Sequence, residues 1–209
     1  MFVFYKMLNN NKNFNNFRRI IAVKRTSLLA LMLALLVSLF ASDGFSFMLG
    51  GKEMVKNGSG NRSRFLFGTL YVATLYVPAN LQGKSAKDII ESNDPMSMVL
   101  VIESKLITKD RFLEATIEGF NKAASAGYAT AKKQAYLDQF KKIELKKGDI
   151  LTMSYAGGAV ATTLKGAESN KTETLGTIAG LDFKKALYAI WLGPSPVQES
   201  LKKGLLSGK

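Results

Sequence analysis

Residues 64–77 are rich in aromatic and β-branched side chains, and this pattern favours one long strand, or two strands with a bend near Gly68. An alternation of apolar and polar residues predicts a hairpin over residues 150–164, with its turn at Gly157 and Gly158. Shorter strands are predicted over residues 53–56, 98–102 and 174–178. These segments together indicate a sheet of several antiparallel strands.

Other segments place their apolar residues at helical spacing. Phe112, Thr116 and Phe120 recur every four residues after Thr108, which suits the N-cap of a helix. Further helices are predicted over residues 85–91, around residues 128–140 and over residues 182–192. A last helix follows Ser195–Gln198, which fits a capping box. Strands and helices do not alternate regularly enough for a parallel sheet, so we expect an α+β domain whose helices cover one side of an antiparallel sheet.

A glycine-rich stretch precedes the aromatic segment. Gly58-Ser59-Gly60 predicts a turn, which places Arg62 and Arg64 directly ahead of the apolar strand. The two arginines share strand parity, so both side chains would point to the same face. A buried guanidinium is costly unless it meets an anion, so we expect a pocket that is apolar along its length and cationic at one end. The aromatic residues expected in the core are Phe65, Phe67, Phe112, Phe120 and Trp191.

The N-terminal residues differ from the rest of the chain. Residues 1–46 are expected to be a signal peptide or an N-terminal membrane anchor, because a basic leader precedes the apolar run 28–40 and small residues follow it. The run is shorter than the roughly 20 residues that a membrane-spanning helix needs. We therefore expect export, most simply to the periplasm, with one domain over residues 47–209. An uncleaved segment that anchors the chain to the inner membrane is the alternative.

Composition excludes several kinds of chemistry. The chain has neither cysteine nor histidine, which excludes disulfides, Ser-His-Asp or Cys-His catalysis and histidine-bound metals. No carboxylates have the spacing of a calcium loop, and we expect neither a metal site nor a cofactor. The net charge of +13 is carried by scattered cations rather than by a concentrated basic patch. This distribution disfavours nucleic-acid binding and leaves anionic ligands or association with a membrane surface.

Two segments at opposite ends of the domain resemble a known family. The N-terminal part of the chalcone isomerase fold is resembled by residues 58–62 followed by Tyr71–Val77. Its C-terminal part is resembled by residues 180–193 and 196–202. Order and spacing agree across residues 49–207. The resemblance is closer to bacterial, exported, chalcone isomerase-like proteins than to the plant enzymes. It implies an open-faced β-sandwich, in which a layer of helices covers a large antiparallel sheet.

The same resemblance implies candidate site residues. The family contains isomerases that close a chalcone to a flavanone, and non-catalytic members that bind fatty acids. In both, an arginine after the Gly-x-Gly turn meets the anionic end of the ligand, and Arg62 occupies that position. Tyr71 stands where the isomerases carry a threonine that helps to hold a water molecule. The isomerases also use a tyrosine, a lysine and an asparagine in mid-chain, and residues 108–140 do not reproduce that set.

These departures favour a non-catalytic role. We expect an exported protein that binds a fatty acid or a similar apolar carboxylate through Arg62, Arg64 and Tyr71. Tyr76 is a further ligand-binding candidate, with a purely structural role as its alternative. The alternative function is an intramolecular lyase of the chalcone isomerase type acting on an enone, in which Arg62 stabilises an oxyanion and Tyr71 orients water or transfers a proton. A third hypothesis is an envelope protein whose interlayer is filled by side chains.

Overall fold

The computed structural model describes residues 46–208, so the predicted N-terminal segment 1–46 lies outside the described residues except for Ser46. The described chain forms a seven-stranded antiparallel sheet whose strands lie side by side in sequence order. The strands are β1 (Phe47–Leu49), β2 (Lys52–Arg64), β3 (Gly68–Pro78), β4 (Met96–Ile102), β5 (Ile150–Ala156), β6 (Ala159–Lys165) and β7 (Thr172–Ala179). The helices are α1 (Ala86–Glu91), α2 (Lys109–Ser125), α3 (Lys133–Asp138), α4 (Leu181–Leu192) and α5 (Glu199–Leu205). None of these helices is long and apolar enough to cross a membrane.

One face of the sheet is buried beneath helices. Buried and half-buried residues alternate along β5 and β6, as expected for strands with one face against a core. Helix α4 lies on this face, where its Tyr188 hydrogen-bonds to carbonyls of β4 and β5. Helix α2 packs on α4 so closely that a Cβ at Gly119 would lie 2.6 Å from Cγ2 of Ile190. The predicted α+β class, with helices covering one side of an antiparallel sheet, is confirmed.

The predicted turn at Gly58-Ser59-Gly60 is wrong, because these residues lie inside β2. Helix α5 lies against the strand at this point, and a Cβ on Gly58 would overlap the carbonyl oxygen of Gly204. A Cβ on Gly60 would lie 3.0 Å from atoms of Leu201. The two glycines therefore permit a helix to pack closely on a strand, and they do not reverse the chain.

The chain reverses instead at residues 65–67, between β2 and β3. The backbone N–H of Phe67 donates to the carbonyl of Arg64 at 3.0 Å and closes this turn. Phe65 and Phe67 are 90% and 58% exposed, so their predicted place in the core is wrong. The prediction of strand over residues 64–77 therefore holds only from Gly68 onwards, since residues 65–67 form the turn and β3 is a single strand. The other aromatic residues predicted for the core, Phe112, Phe120 and Trp191, are buried.

The two predicted helix starts have different outcomes. Thr108 caps α2 as predicted, and its hydroxyl accepts a hydrogen bond from the backbone N–H of Arg111 at 3.4 Å. The capping box predicted at residues 195–198 is wrong, because α5 begins at Glu199 and the side chain of Gln198 makes no capping hydrogen bond. That side chain turns towards β2 instead.

Candidate functional site

A cavity of about 450 Å³ lies in the interlayer, between the β2–β3 end of the sheet and helices α2 and α4. Its apolar wall includes Leu70, Ile107, Phe112, Ile190, Trp191 and Val197. The volume falls within the roughly 300–1,000 Å³ that is usual for small-molecule sites. A space of this size counts against the hypothesis of an interlayer filled by side chains at this end of the domain.

Arg62 and Tyr71 face each other across the β2–β3 ladder at one side of the cavity. They are paired directly in the antiparallel register, which places both side chains on the same face of the sheet. The register shifts immediately beyond this pair, so that Leu70 has no partner in β2. The bulge turns Leu70 and Tyr71, which are neighbours in the chain, towards the same cavity.

Gln198 fixes the guanidinium of Arg62. Its Oε1 accepts a hydrogen bond from Nη1 of Arg62 at 2.9 Å and another from the backbone N–H of Ser63 at 3.1 Å. An arginine has five N–H donors, and within the described residues no carboxylate lies at ion-pair distance from Arg62. The half-buried guanidinium is thus oriented by one partner and keeps donors for an anion.

Tyr71 is held from the other side by Trp191. The indole Nε1 of Trp191 donates to the Tyr71 hydroxyl at 3.0 Å, and Tyr71 is only 8% exposed. Burial raises the pKa of Tyr71, while the Trp191 hydrogen bond and the charge of Arg62 oppose that rise. The hydroxyl therefore keeps its proton at neutral pH and can donate it to an acceptor in the cavity.

Charged side chains surround the mouth of the cavity. Arg64 is exposed at the end of β2, and Arg111 of α2 donates from Nη1 to the carbonyl of Leu106 at 3.2 Å. The Lys122 ammonium lowers the pKa of Glu118 through a hydrogen bond and its charge, and the two arginines of β2 add a smaller effect. Basic side chains outnumber carboxylates among the lining residues, so the mouth favours anions.

The structure brings three of the four predicted site residues together. Arg62, Arg64 and Tyr71 all line the cavity. Tyr76 lies on the opposite face of β3, and its ring meets the edge of Phe47 with ring centres 5.3 Å apart. The structure therefore does not bring Tyr76 to the other three.

Sequence reasoning did not identify three polar participants of the site: Gln198, Trp191 and Arg111. Gln198 is 136 residues away from Arg62 along the chain, and its local sequence resembles a helix cap. Trp191 sits on an apolar helix face, which predicts burial and gives no sign of the hydrogen bond to Tyr71. In the described part of the chain, no three acidic residues are grouped so that they could hold a metal ion.

The fold and the cavity define an α+β protein with a ligand-sized space between one antiparallel sheet and its helices. A family model described as chalcone isomerase-like matches residues 44–207, and the chain belongs to this family. A solved structure of a fatty-acid binding protein from Arabidopsis thaliana is similar, with 14% sequence identity and a TM-score of 0.56. The match covers 78% of this chain and 96% of that one, and at this identity it shows the shared fold. No curated protein matches the chain.

Proposed function

We propose that this protein binds a fatty acid or a similar apolar carboxylate in the interlayer cavity and does not transform it. The proposal rests above all on the direct pairing of Arg62 with Tyr71 at one side of a cavity that has an apolar wall. The similarity to a fatty-acid binding protein supports the proposal.

The anionic head would lie between the two polar side chains. The free edge of the Arg62 guanidinium offers parallel N–H donors that suit a carboxylate, and the Tyr71 hydroxyl adds a third donor. Pairing with the ligand also offsets the cost of holding a half-buried charge. Arg64 lies nearer the mouth, where it would attract the ligand more than it would fix it.

The hydrocarbon tail would occupy the apolar part of the cavity. The wall includes Leu70, Phe112 and Ile190, which offer the tail no hydrogen-bond partner. Burial of apolar surface contributes roughly 25 cal/mol per Å², so the tail supplies affinity while Arg62 supplies selectivity for an acid.

Two features support a role without catalysis. Tyr71 has a raised pKa, which makes its phenol a poor general base at neutral pH. Within residues 108–140, the tyrosines Tyr128 and Tyr136 and the lysine Lys132 do not line the cavity. Lys132 pairs with Asp182 at 2.6 Å, and the Tyr136 hydroxyl is buried against Sδ of Met153 at 3.2 Å.

An intramolecular lyase acting on an enone is the second candidate. The observation in its favour is the aromatic surface of Trp191 and Phe112 beside the Arg62 guanidinium, which suits a ring next to a developing oxyanion. Incubation with a panel of chalcones, followed by absorbance, tests it. Turnover that is lost in Arg62→Gln and kept in Lys132→Gln would replace the binding proposal.

The binding proposal is tested on the purified full-length protein. Lipids are extracted and identified by mass spectrometry, and the delipidated protein is then titrated with palmitic acid and with hexadecanol. We expect a co-purified carboxylate and a clear preference for the acid over the alcohol. A protein that carries no lipid and takes up neither compound contradicts the proposal.

A further inference from the structure

The turn between β2 and β3 exposes three consecutive large apolar side chains, called here the apolar tip. Phe65, Leu66 and Phe67 are 90%, 86% and 58% exposed. Leu106, on the neighbouring loop, is 37% exposed and lines the mouth of the cavity together with Phe67. Contiguous exposed apolar surface of this kind marks a site of interaction with another apolar phase.

Folding alone does not account for the residue at the centre of the apolar tip. Leu66 has a φ of 68°, in the left-handed region that glycine and asparagine adopt more readily. Its side chain is also left in water, so neither the backbone nor solvation favours leucine at this position. A contact between Leu66 and a partner other than the described residues would explain why an apolar side chain is exposed here.

The size of the apolar tip favours a bilayer over a protein as its partner. A stable protein interface buries roughly 800 Å² on each side, contributed by 20–30 residues, which is far more than one turn offers. Insertion of a few apolar side chains between lipid headgroups needs no such area, provided that basic residues stand beside them. Arg64 lies at the base of the turn, and the exposed Lys105 and Arg111 flank Leu106 on the neighbouring segment.

We infer that the apolar tip inserts into the headgroup region of a bilayer that contains anionic lipid. Arg64 and Arg111 then lie at the level of the lipid phosphates, where their charges are attracted to the surface. Because Phe67 and Leu106 line the cavity, insertion places the cavity mouth on the membrane surface. A fatty acid could then pass between bilayer and cavity without crossing water. This last step rests on the proposed function, whereas insertion does not.

A single labelled cysteine tests the insertion locally. The natural chain has no cysteine, so Leu66→Cys in the full-length protein accepts one environment-sensitive fluorophore. The matched control is Ala79→Cys, an exposed position just beyond the other end of β3. The probes are vesicles of phosphatidylcholine with one quarter phosphatidylglycerol, and vesicles of phosphatidylcholine alone. The signal reports on the labelled position and does not depend on whether residues 1–45 also bind the vesicles.

With the anionic vesicles, insertion predicts that the fluorophore at position 66 shifts its emission to the blue and is quenched by spin-labelled lipids. The neutral vesicles should give a weaker response at position 66. The fluorophore at position 79 should not respond to either kind of vesicle. Phe65→Asn in the labelled protein should raise the lipid concentration for half-maximal response about tenfold, because one apolar side chain is lost from the membrane. No response at position 66, or equal responses at both positions, overturns the inference. A label that is already shielded without vesicles also overturns it, since another part of the chain or a second copy then covers the apolar tip.

Leu66→Asn separates this inference from the proposed function. Asparagine tolerates a positive φ, so the variant should fold. We expect its palmitate affinity in solution to be unchanged and its rate of palmitate uptake from anionic vesicles to fall several-fold. Unchanged uptake contradicts ligand transfer through the inserted tip and leaves binding intact. Absence of palmitate binding in the natural chain contradicts the proposed function and leaves the fluorescence test of insertion valid.

Discussion

The two ends of helix α4 hold buried polar side chains in different ways. Near its N-terminus, Lys184 is fully buried, and its Nζ donates to the carbonyls of Ile89, Ile90 and Ser92, each at 2.8 Å. Near its C-terminus, Trp191 holds Tyr71 beside Arg62 at the cavity. The chain provides three partners for the ammonium, whereas it provides one for the guanidinium.

The difference separates a structural cation from one that is proposed to bind a ligand. Lys184 is fully buried and Arg62 is half-buried, so the more deeply buried cation is not the one at the cavity, and burial alone does not identify a site. Lys184 has as many acceptors as an ammonium has donors, and it serves to satisfy carbonyls at the end of α1. Arg62 keeps most of its donors, and these face a space that a molecule can enter. Unused donors beside a cavity are therefore the more useful sign of binding.

The largest expected effect is the loss of the lysine at the N-terminal end of α4. Lys184→Met keeps the volume roughly constant and leaves two buried carbonyls and one part-buried carbonyl without this donor. We expect the free energy of unfolding to fall by about 3 kcal/mol, measured by urea denaturation. The control is Lys185→Met, because Lys185 pairs with Glu91 at the surface and such pairs contribute roughly 0–1 kcal/mol. Equal losses in the two variants would contradict the structural role of Lys184.

The second largest expected effect is the loss of ligand affinity when the arginine at the cavity is replaced. Arg62→Gln removes the charged donors while the chain should remain folded, since the side chain is half-exposed. We expect the Kd for palmitate to rise about 10- to 100-fold, the equivalent of a charge-assisted hydrogen bond of about 1.5–3 kcal/mol, and the Kd for hexadecanol to change little. Lys132→Gln removes the same charge away from the cavity and should leave both constants unchanged. If Arg62→Gln lowers the affinities for palmitate and hexadecanol equally, Arg62 shapes the cavity and does not recognise the carboxylate.

The pH dependence of stability should report on Lys184. Burial lowers the pKa of Lys184 from 10.5 to about 7, and the unfolded chain therefore binds more protons than the folded chain between these values. The free energy of unfolding should then rise with pH from 7 towards 10, by at most about 1.4 kcal/mol per pH unit. The slope should be reduced in Lys184→Met and kept in Lys185→Met. A natural protein whose stability is flat over this interval would mean that the three carbonyls keep the ammonium charged.

Much of the fold was predictable because the pattern of apolar residues is local. The hairpin over residues 150–164 follows directly from apolar residues at every second position, and the helix over residues 182–192 follows from apolar residues at helical spacing. The turn at residues 65–67 was missed because apolar residues displayed on a turn have the same pattern as strand residues. Gly58 and Gly60 were misread because glycine permits both chain reversal and close packing, and only the position of α5 decides between them.

The candidate site was predictable only in part. Arg62 and Tyr71 were identified from the family resemblance, and the structure pairs them across two strands. Gln198 was missed because its contact with Arg62 depends on the position of a segment more than a hundred residues away. The partner of Tyr71 was missed for the same reason, since a tryptophan on an apolar helix face predicts only burial.

The smallest expected effect compares two buried tyrosines, Tyr71 of β3 beside the cavity and Tyr188 of α4 against the sheet. Tyr71→Phe removes a hydroxyl that faces the cavity, whereas Tyr188→Phe removes one that reaches the carbonyls of Met96 and Met153 at 3.0 and 2.9 Å. Both variants leave a buried polar group without its partner, so both should lower the free energy of unfolding by about 1–3 kcal/mol.

Only Tyr71→Phe should weaken palmitate binding, by about 2- to 10-fold, because one neutral hydrogen bond contributes about 0.5–1.5 kcal/mol. Isothermal titration of both variants under conditions where each is fully folded measures this difference. An equal loss of affinity in Tyr188→Phe would mean that stability of the interlayer, rather than the Tyr71 hydroxyl, controls binding. An unchanged affinity in Tyr71→Phe would leave Arg62 as the residue that holds the carboxylate, with Tyr71 serving only to position Trp191.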